Sequence, residues 1–309
     1  MRRLLIVLRS DAALHSVAPC YAAQRVAPLL RRVALGCAAA LLLGAHSPSW
    51  AAEVRPSPEA IERLLADNPC DFESRSLAVS GYHDEGQYAL AYYHAAWLAW
   101  LGPGEFRTRP SGAHFLFDRD HRDRAAAQGG DDLAAALPAV AAQRMLADSC
   151  IGGTIAQQAS RLRKDIAAMI ESAQAAAGRS DPVARMALVQ LALSFDDAMV
   201  LEGGARDPSR LALLRTAATG AETVAAWLPE APGPHRTLAI IRARLADMDG
   251  RAEVWQMAIA EAEGARALDP SDPYLAELLW TFYLRIGDWR QAAVWQQKVE
   301  AAAERPSRH

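Results

Sequence analysis

The sequence predicts an all-α protein made of stacked antiparallel helix pairs, either an α-solenoid or a compact helical array. Three observations carry that reading. Hydrophobic residues make up 51% of the 309, and much of that content is alanine, the strongest helix former because it loses no rotamer entropy and buries no polar group. No run of Val, Ile and Thr with alternating polarity is bounded by turn residues, as a strand requires. Gly, Pro and Asp recur at short intervals and cut the chain into helix-length pieces, as expected of antiparallel neighbours joined by short loops.

Residues 1–51 read as an export leader. Arg31-Arg32 precede an eleven-residue apolar run, Val33 to Leu43, which Gly44 and Pro48 break before Ser49-Trp50-Ala51. A charged stretch, an apolar stretch and small residues in that order form a secretory signal, with cleavage expected near Ala51. The run is short of the roughly 20 apolar residues that span a bilayer, so no stable membrane span is expected after processing. A start at Val26 and lipidation at Cys37 are alternatives for this region.

Beyond the leader, Ser57-Pro58-Glu59 opens a first helix, with Ser57 as cap and Pro58 in the first turn, and Asn68-Pro69 closes it. One segment is expected from about Asp71 to Leu101, stopped by Gly102-Pro103-Gly104. Residues 103–131 are rich in Gly, Pro, Arg, Asp and His without periodicity. They read as a long surface loop with a short turn at His114 to Phe117. Helices are then expected over 131–148 with a bend at Pro138, and over 154–177, 182–201, 208–228, 234–247, 252–268, 273–286 and 288–303. The divisions are thus 1–51, 52–102, 103–131 and a helical region 132–309.

The last third repeats. Ala221-Glu222, Pro229 and Pro232 each recur at one constant spacing, as Ala262-Glu263, Pro270 and Pro273. A period of this size, about 40 residues, marks stacked two-helix units. In the final unit, Ala265, Leu268 and Pro270 close one helix, and Leu279 and Tyr283 share a face of the next. Gly287-Asp288-Trp289 makes a tight turn, and Ala292 follows. This resembles a tetratricopeptide repeat, most clearly over 265–303 and more broadly over 234–303. Gly287 matches the family's inter-helix glycine and Ala292 its buried small residue, whereas Trp280 stands where the family has a small residue. Tyr82, Gly86, Tyr88, Ala91 and Pro103 form a looser second match. The resemblance implies a curved stack whose first helices line a concave face, which places Tyr274, Glu277, Thr281 and Arg285 toward a partner.

Without the leader, 27 basic and 35 acidic side chains remain, a net of −8. Such a chain lacks the electrostatic footprint for nucleic acid and is repelled by anionic membrane surfaces. Its two remaining cysteines, Cys70 and Cys150, read as a disulfide in an oxidising compartment.

No Gly-x-Ser-x-Gly elbow and no Gly-rich phosphate loop followed by Lys occurs, and no cofactor is implied. His114, Asp118, Asp120, His121 and Asp123 could gather around a divalent cation, but Arg119, Arg122 and Arg124 between them neutralise the carboxylates, so a solvated, salt-bridged surface is expected. His83-Asp84-Glu85 with His94 is a second group, His94, among Tyr92, Tyr93 and Trp97, reading as a helix-surface or packed histidine. Asp196-Asp197 with Glu202 reads as a solvated acidic face. The expectation is a non-enzymatic scaffold of the bacterial periplasm that binds a protein, peptide or small ligand. The alternatives are a ligand-handling accessory of an envelope transport or assembly system and a metal-dependent hydrolase using the His/Asp loop.

Overall fold

In the computed structural model, residues 56–104, 116, 118–149, 155–176 and 181–304 are described, and the chain divides at Pro56/Ser57. The leader therefore lies outside the described residues. Among the described residues there are twelve helices and no strand: α1 Pro58–Asp67, α2 Phe72–Asp84, α3 Tyr88–Trp100, α4 Arg119–Gln128, α5 Asp131–Ser149, α6 Ile155–Ala176, α7 Pro182–Leu201, α8 Ser209–Trp227, α9 Pro232–Asp249, α10 Ala252–Leu268, α11 Pro273–Arg285 and α12 Trp289–Glu304. Packing is mainly between neighbours in sequence, as in a stack of helical hairpins, with α7 also against α5 and α3.

Two kinds of turn write this pattern. In the first, proline ends a helix. Asn68, Leu228 and Asp269 each precede a proline, and their φ/ψ angles are −135°/90°, −133°/68° and −133°/82°. The pyrrolidine ring disfavours helical geometry at the preceding residue, and α1, α8 and α10 stop there. A second helix starts within four residues each time, with Pro232 and Pro273 in the first turns of α9 and α11. The repeat spacing of the sequence is therefore a structural one: the ends of α8 and α10, and the starts of α9 and α11, are separated by that same interval.

In the second kind, glycine ends the helix. Gly86 and Gly287 adopt φ of 75° and 76°, a left-handed conformation that costs other residues a Cβ clash. The next amide then reaches back across the turn: Gln87 N–H to the Tyr82 carbonyl (2.8 Å) and Asp288 N–H to the Tyr283 carbonyl (2.9 Å). This is the Schellman closure, which satisfies carbonyls the helix leaves open. Gly203-Gly204 repeats it between α7 and α8, with Gly204 N–H on the Met199 carbonyl at 2.8 Å.

These turns put α1–α3 and α10–α12 in a common register, in which Gly86 corresponds to Gly287. Both α2 and α11 have 13 residues, Asp71 and Asp272 cap them, and Ala91 and Ala292 are buried at matching positions. Tyr82 donates to Glu62 at 2.9 Å, and Tyr283 to Glu263 at 2.9 Å.

The main core is built from α3 and α5–α9 around Trp100, Tyr92, Met186, Leu191 and Ile241, and a second from α9–α12 around Leu279, Phe282 and Trp295. The end of α3 joins the two. Gly233, near the start of α9, packs so tightly on the Trp100 carbonyl that any Cβ would overlap it. Arg236 pairs with Asp272 at 2.8 Å, both buried, and Gly104 N–H donates to Asp269 at 2.7 Å.

The structure corrects the expected helix boundaries in two places. The segment Asp71 to Leu101 is two helices, because Gly86 turns the chain. Part of the expected loop 103–131 is helix α4: Asp118 caps it by accepting from Asp120 N–H (2.8 Å) and His121 N–H (3.1 Å), and Ala125 anchors it in the core. Leu116 is also buried. The remainder of the turn expected at His114 to Phe117 lies outside the described residues. Helix α5 runs through Pro138.

Candidate functional site

The expected concave strip lies along α11. Tyr274, Glu277 and Thr281 are half-buried, and Arg285 is exposed. Thr281 Oγ1 donates to the Glu277 carbonyl of its own helix at 2.9 Å, and the Arg285 guanidinium stands 3.9 Å from Asp247 on α9. Burial and the nearby charge of Asp272 raise the Glu277 carboxyl above its ordinary value. Part of the strip's polar surface is thus already engaged within the stack.

The two histidine groups rearrange. His114 lies outside the described residues. Asp118 serves as the α4 cap, and Asp120 and Asp123 are exposed, with Arg119 and Arg122 turned to Asp123 at 3.6 and 3.5 Å. His121 turns the other way and meets His83 of α2, Nε2 to Nε2 at 3.2 Å. Among the described residues, no group of three or more His, Cys, Asp and Glu side chains is arranged to hold a metal ion.

His94 is a packed histidine, 3% exposed. Its Nδ1 accepts from Arg75 (3.2 Å), its Nε2–H donates to Glu62 (2.9 Å), and its ring stacks on Tyr82 with centroids 5.5 Å apart. Burial, then the charge of Arg75, hold its pKa down to about 4 against the pull of Glu62. Arg75, itself 5% exposed, also donates to the Pro69 carbonyl, and its guanidinium sits over Trp97, 3.5 Å from the ring centre. Burial lowers its pKa to about 10. Tyr93 ties this group to the start of α7 by donating to Asp181 at 3.1 Å.

Beside Trp97 opens a cleft of about 280 Å³ lined by Pro69, Trp97, Pro182, Trp227 and Leu228. It gathers the α1–α2 turn, α3, the start of α7 and the end of α8. Trp227 is 39% exposed, and the Arg185 guanidinium lies 5.5 Å over its ring. Nothing in the sequence pattern brings these residues together, since they are scattered from Pro69 to Leu228; the aromatic and proline types were visible, their convergence was not.

The acidic pair is a correction. Asp196 is fully buried, held by Arg210 at 2.6 and 3.1 Å and by Arg244 at 2.8 Å, and Arg244 also binds Asp197 at 2.8 Å. It pins α7, α8 and α9 together instead of facing solvent, because two arginines from later helices supply the counter-charge that burial demands. Glu202 pairs with Arg163 at 3.3 Å. Cys70 is a half-buried free thiol whose pKa burial raises; Cys150 lies outside the described residues.

Among the described residues no helix is long and apolar enough to cross a membrane. No family model matches the chain, and no curated protein matches it.

Proposed function

We propose that this protein is a non-enzymatic scaffold of the tetratricopeptide-like kind, exported by its leader, that binds a partner protein or peptide. One observation carries the reading: the apolar cleft between Trp97 and Trp227. Its volume, about 280 Å³, falls just below the roughly 300–1,000 Å³ of sites that enclose a small molecule. It suits an apolar anchor side chain presented by a larger partner, and half-exposed tryptophan is a typical centre of such contacts. The tetratricopeptide reading is supported by the paired turns at Gly86 and Gly287 and by the buried Ala91 and Ala292. The strip Tyr274, Glu277, Thr281 and Arg285 offers less, because three of the four are half-buried and Thr281 and Arg285 are engaged within the stack.

Photo-crosslinking in the producing cells tests this. A crosslinking residue at position 227 should yield a discrete adduct, and one at position 277 should not. An adduct from 277 alone would move the contact to α11; absence of any adduct from 227 would remove the cleft. The exported form should begin at Ala52.

A further inference from the structure

The cleft between Trp97 and Trp227 is lined by apolar groups, and Arg185 stands at its edge. Arg185 lies one turn beyond Pro182 on the same side of α7, with its guanidinium 5.5 Å over the Trp227 ring. The indole attracts the charge but offers no acceptor for the guanidinium N–H groups. The arginines that tie the stack together all meet carboxylates: Arg210 and Arg244 meet Asp196, Arg236 meets Asp272, and Arg242 meets Glu222 and Glu261. Among the described residues Arg185 meets none, and its Nε is enclosed without an acceptor. Asp181, four residues earlier, is engaged elsewhere: it caps α7 by accepting from Ala184 N–H at 2.9 Å, and it accepts from Tyr93 at 3.1 Å. Glu230, two residues past Leu228, is exposed, so water screens its charge, whereas Arg185 is half-buried. The cleft thus carries a cation whose counter-charge the stack does not supply. Its Trp97 wall is ordered in advance, because Arg75, held by His94 and the Pro69 carbonyl, covers a face of that ring.

We propose that the cleft recognises a segment of a partner protein in which an apolar side chain is followed by an acidic one. The apolar group fills the space between the two tryptophans, and the carboxylate of its neighbour pairs with Arg185. This rests on the reading of the cleft as the partner site and adds the chemistry that the site selects.

Binding of the purified full chain to short, end-blocked fluorescent peptides tests it, with Leu, Phe or Pro at the centre followed by Glu, Gln or Lys, measured by fluorescence anisotropy. At low salt the Glu peptides should bind about tenfold more tightly than their Gln counterparts, the size of one charge-assisted hydrogen bond, and salt should shrink the difference. R185Q should erase that preference, R185E should reverse it in favour of Lys, and W227A should weaken every peptide at least about tenfold. Circular dichroism verifies that each variant is folded. Equal binding of the Glu, Gln and Lys peptides, or a Glu preference that survives R185Q, would overturn the proposal and leave the cleft as a purely apolar partner site. Tighter binding of peptides that end in a free carboxylate directly after the apolar residue would overturn it in favour of a chain end. Absence of binding by every peptide, or binding that W227A leaves unchanged, would overturn both this proposal and the reading of the cleft.

Discussion

The first helical unit, α1–α3, and the last, α10–α12, share one backbone script and differ in what they bury. Both turn at a proline and then at a left-handed glycine, and both carry the same Tyr-to-Glu bond. Arg75 and His94 of the first unit have Ala276 and Trp295 as their counterparts in the last, packed with Leu279 and Phe282. The turns thus set the register through residues that act on the backbone alone, and the interior is free to be apolar in one unit and a hydrogen-bonded polar group in the other. The polar version is held by its hydrogen bonds: Arg75 has His94 and the Pro69 carbonyl, and His94 has Glu62.

The contrast can be broken most severely by moving the arginine. A276R should destabilise the protein by more than about 4 kcal/mol, since the last unit has neither the space nor the acceptors for a guanidinium, and urea unfolding would measure it. The reverse change, R75A, should cost about 3 kcal/mol, because it leaves the His94 Nδ1 and the Pro69 carbonyl unpaired and uncovers Trp97.

A pH series sharpens the comparison further. His94 is neutral when folded, with a pKa of about 4 against an ordinary value of 6.5. The unfolded chain therefore binds the extra proton first. The stability from this group is present above pH 6.5 and is lost as pH falls from 6.5 toward 4, by at most about 3 kcal/mol. Melting temperature measured over that range should fall more steeply in the wild type than in H94Q, whereas no such contribution arises from the tryptophan of the last unit. The smallest effects belong to the shared turns. G86A and G287A should each cost about 1 kcal/mol, and about equally, because each adds a Cβ in a left-handed conformation with no other atom nearby to clash.

Much of the architecture was legible because proline and glycine act locally. Ser57-Pro58, Asn68-Pro69, Gly250 and Gly287 mark helix boundaries within a few residues, and the repeat of the last third is written in Pro229, Pro232, Pro270 and Pro273. Helix α4 escaped because Arg119 to Arg124 are mostly charged residues with no apolar face, and the evidence for it is an Asp118 cap and one buried alanine. Polar residues were misread for a different reason. The burial of Asp196 depends on Arg210 and Arg244, and the meeting of His83 with His121 depends on how α2 packs against the start of α4. Those contacts are set by tertiary packing, which spacing along the chain does not encode. The cleft is the extreme case, assembled from five residues on four separate parts of the stack.

Two double-mutant cycles, Glu62→Ala with Tyr82→Phe and Glu263→Ala with Tyr283→Phe, test most directly whether one unit is used twice. Each pair should show a favourable coupling of about 0.5–1 kcal/mol in unfolding free energy, the larger in the more buried first unit. Coupling in one pair and none in the other would mean that the two ends of the chain are not built on the same plan.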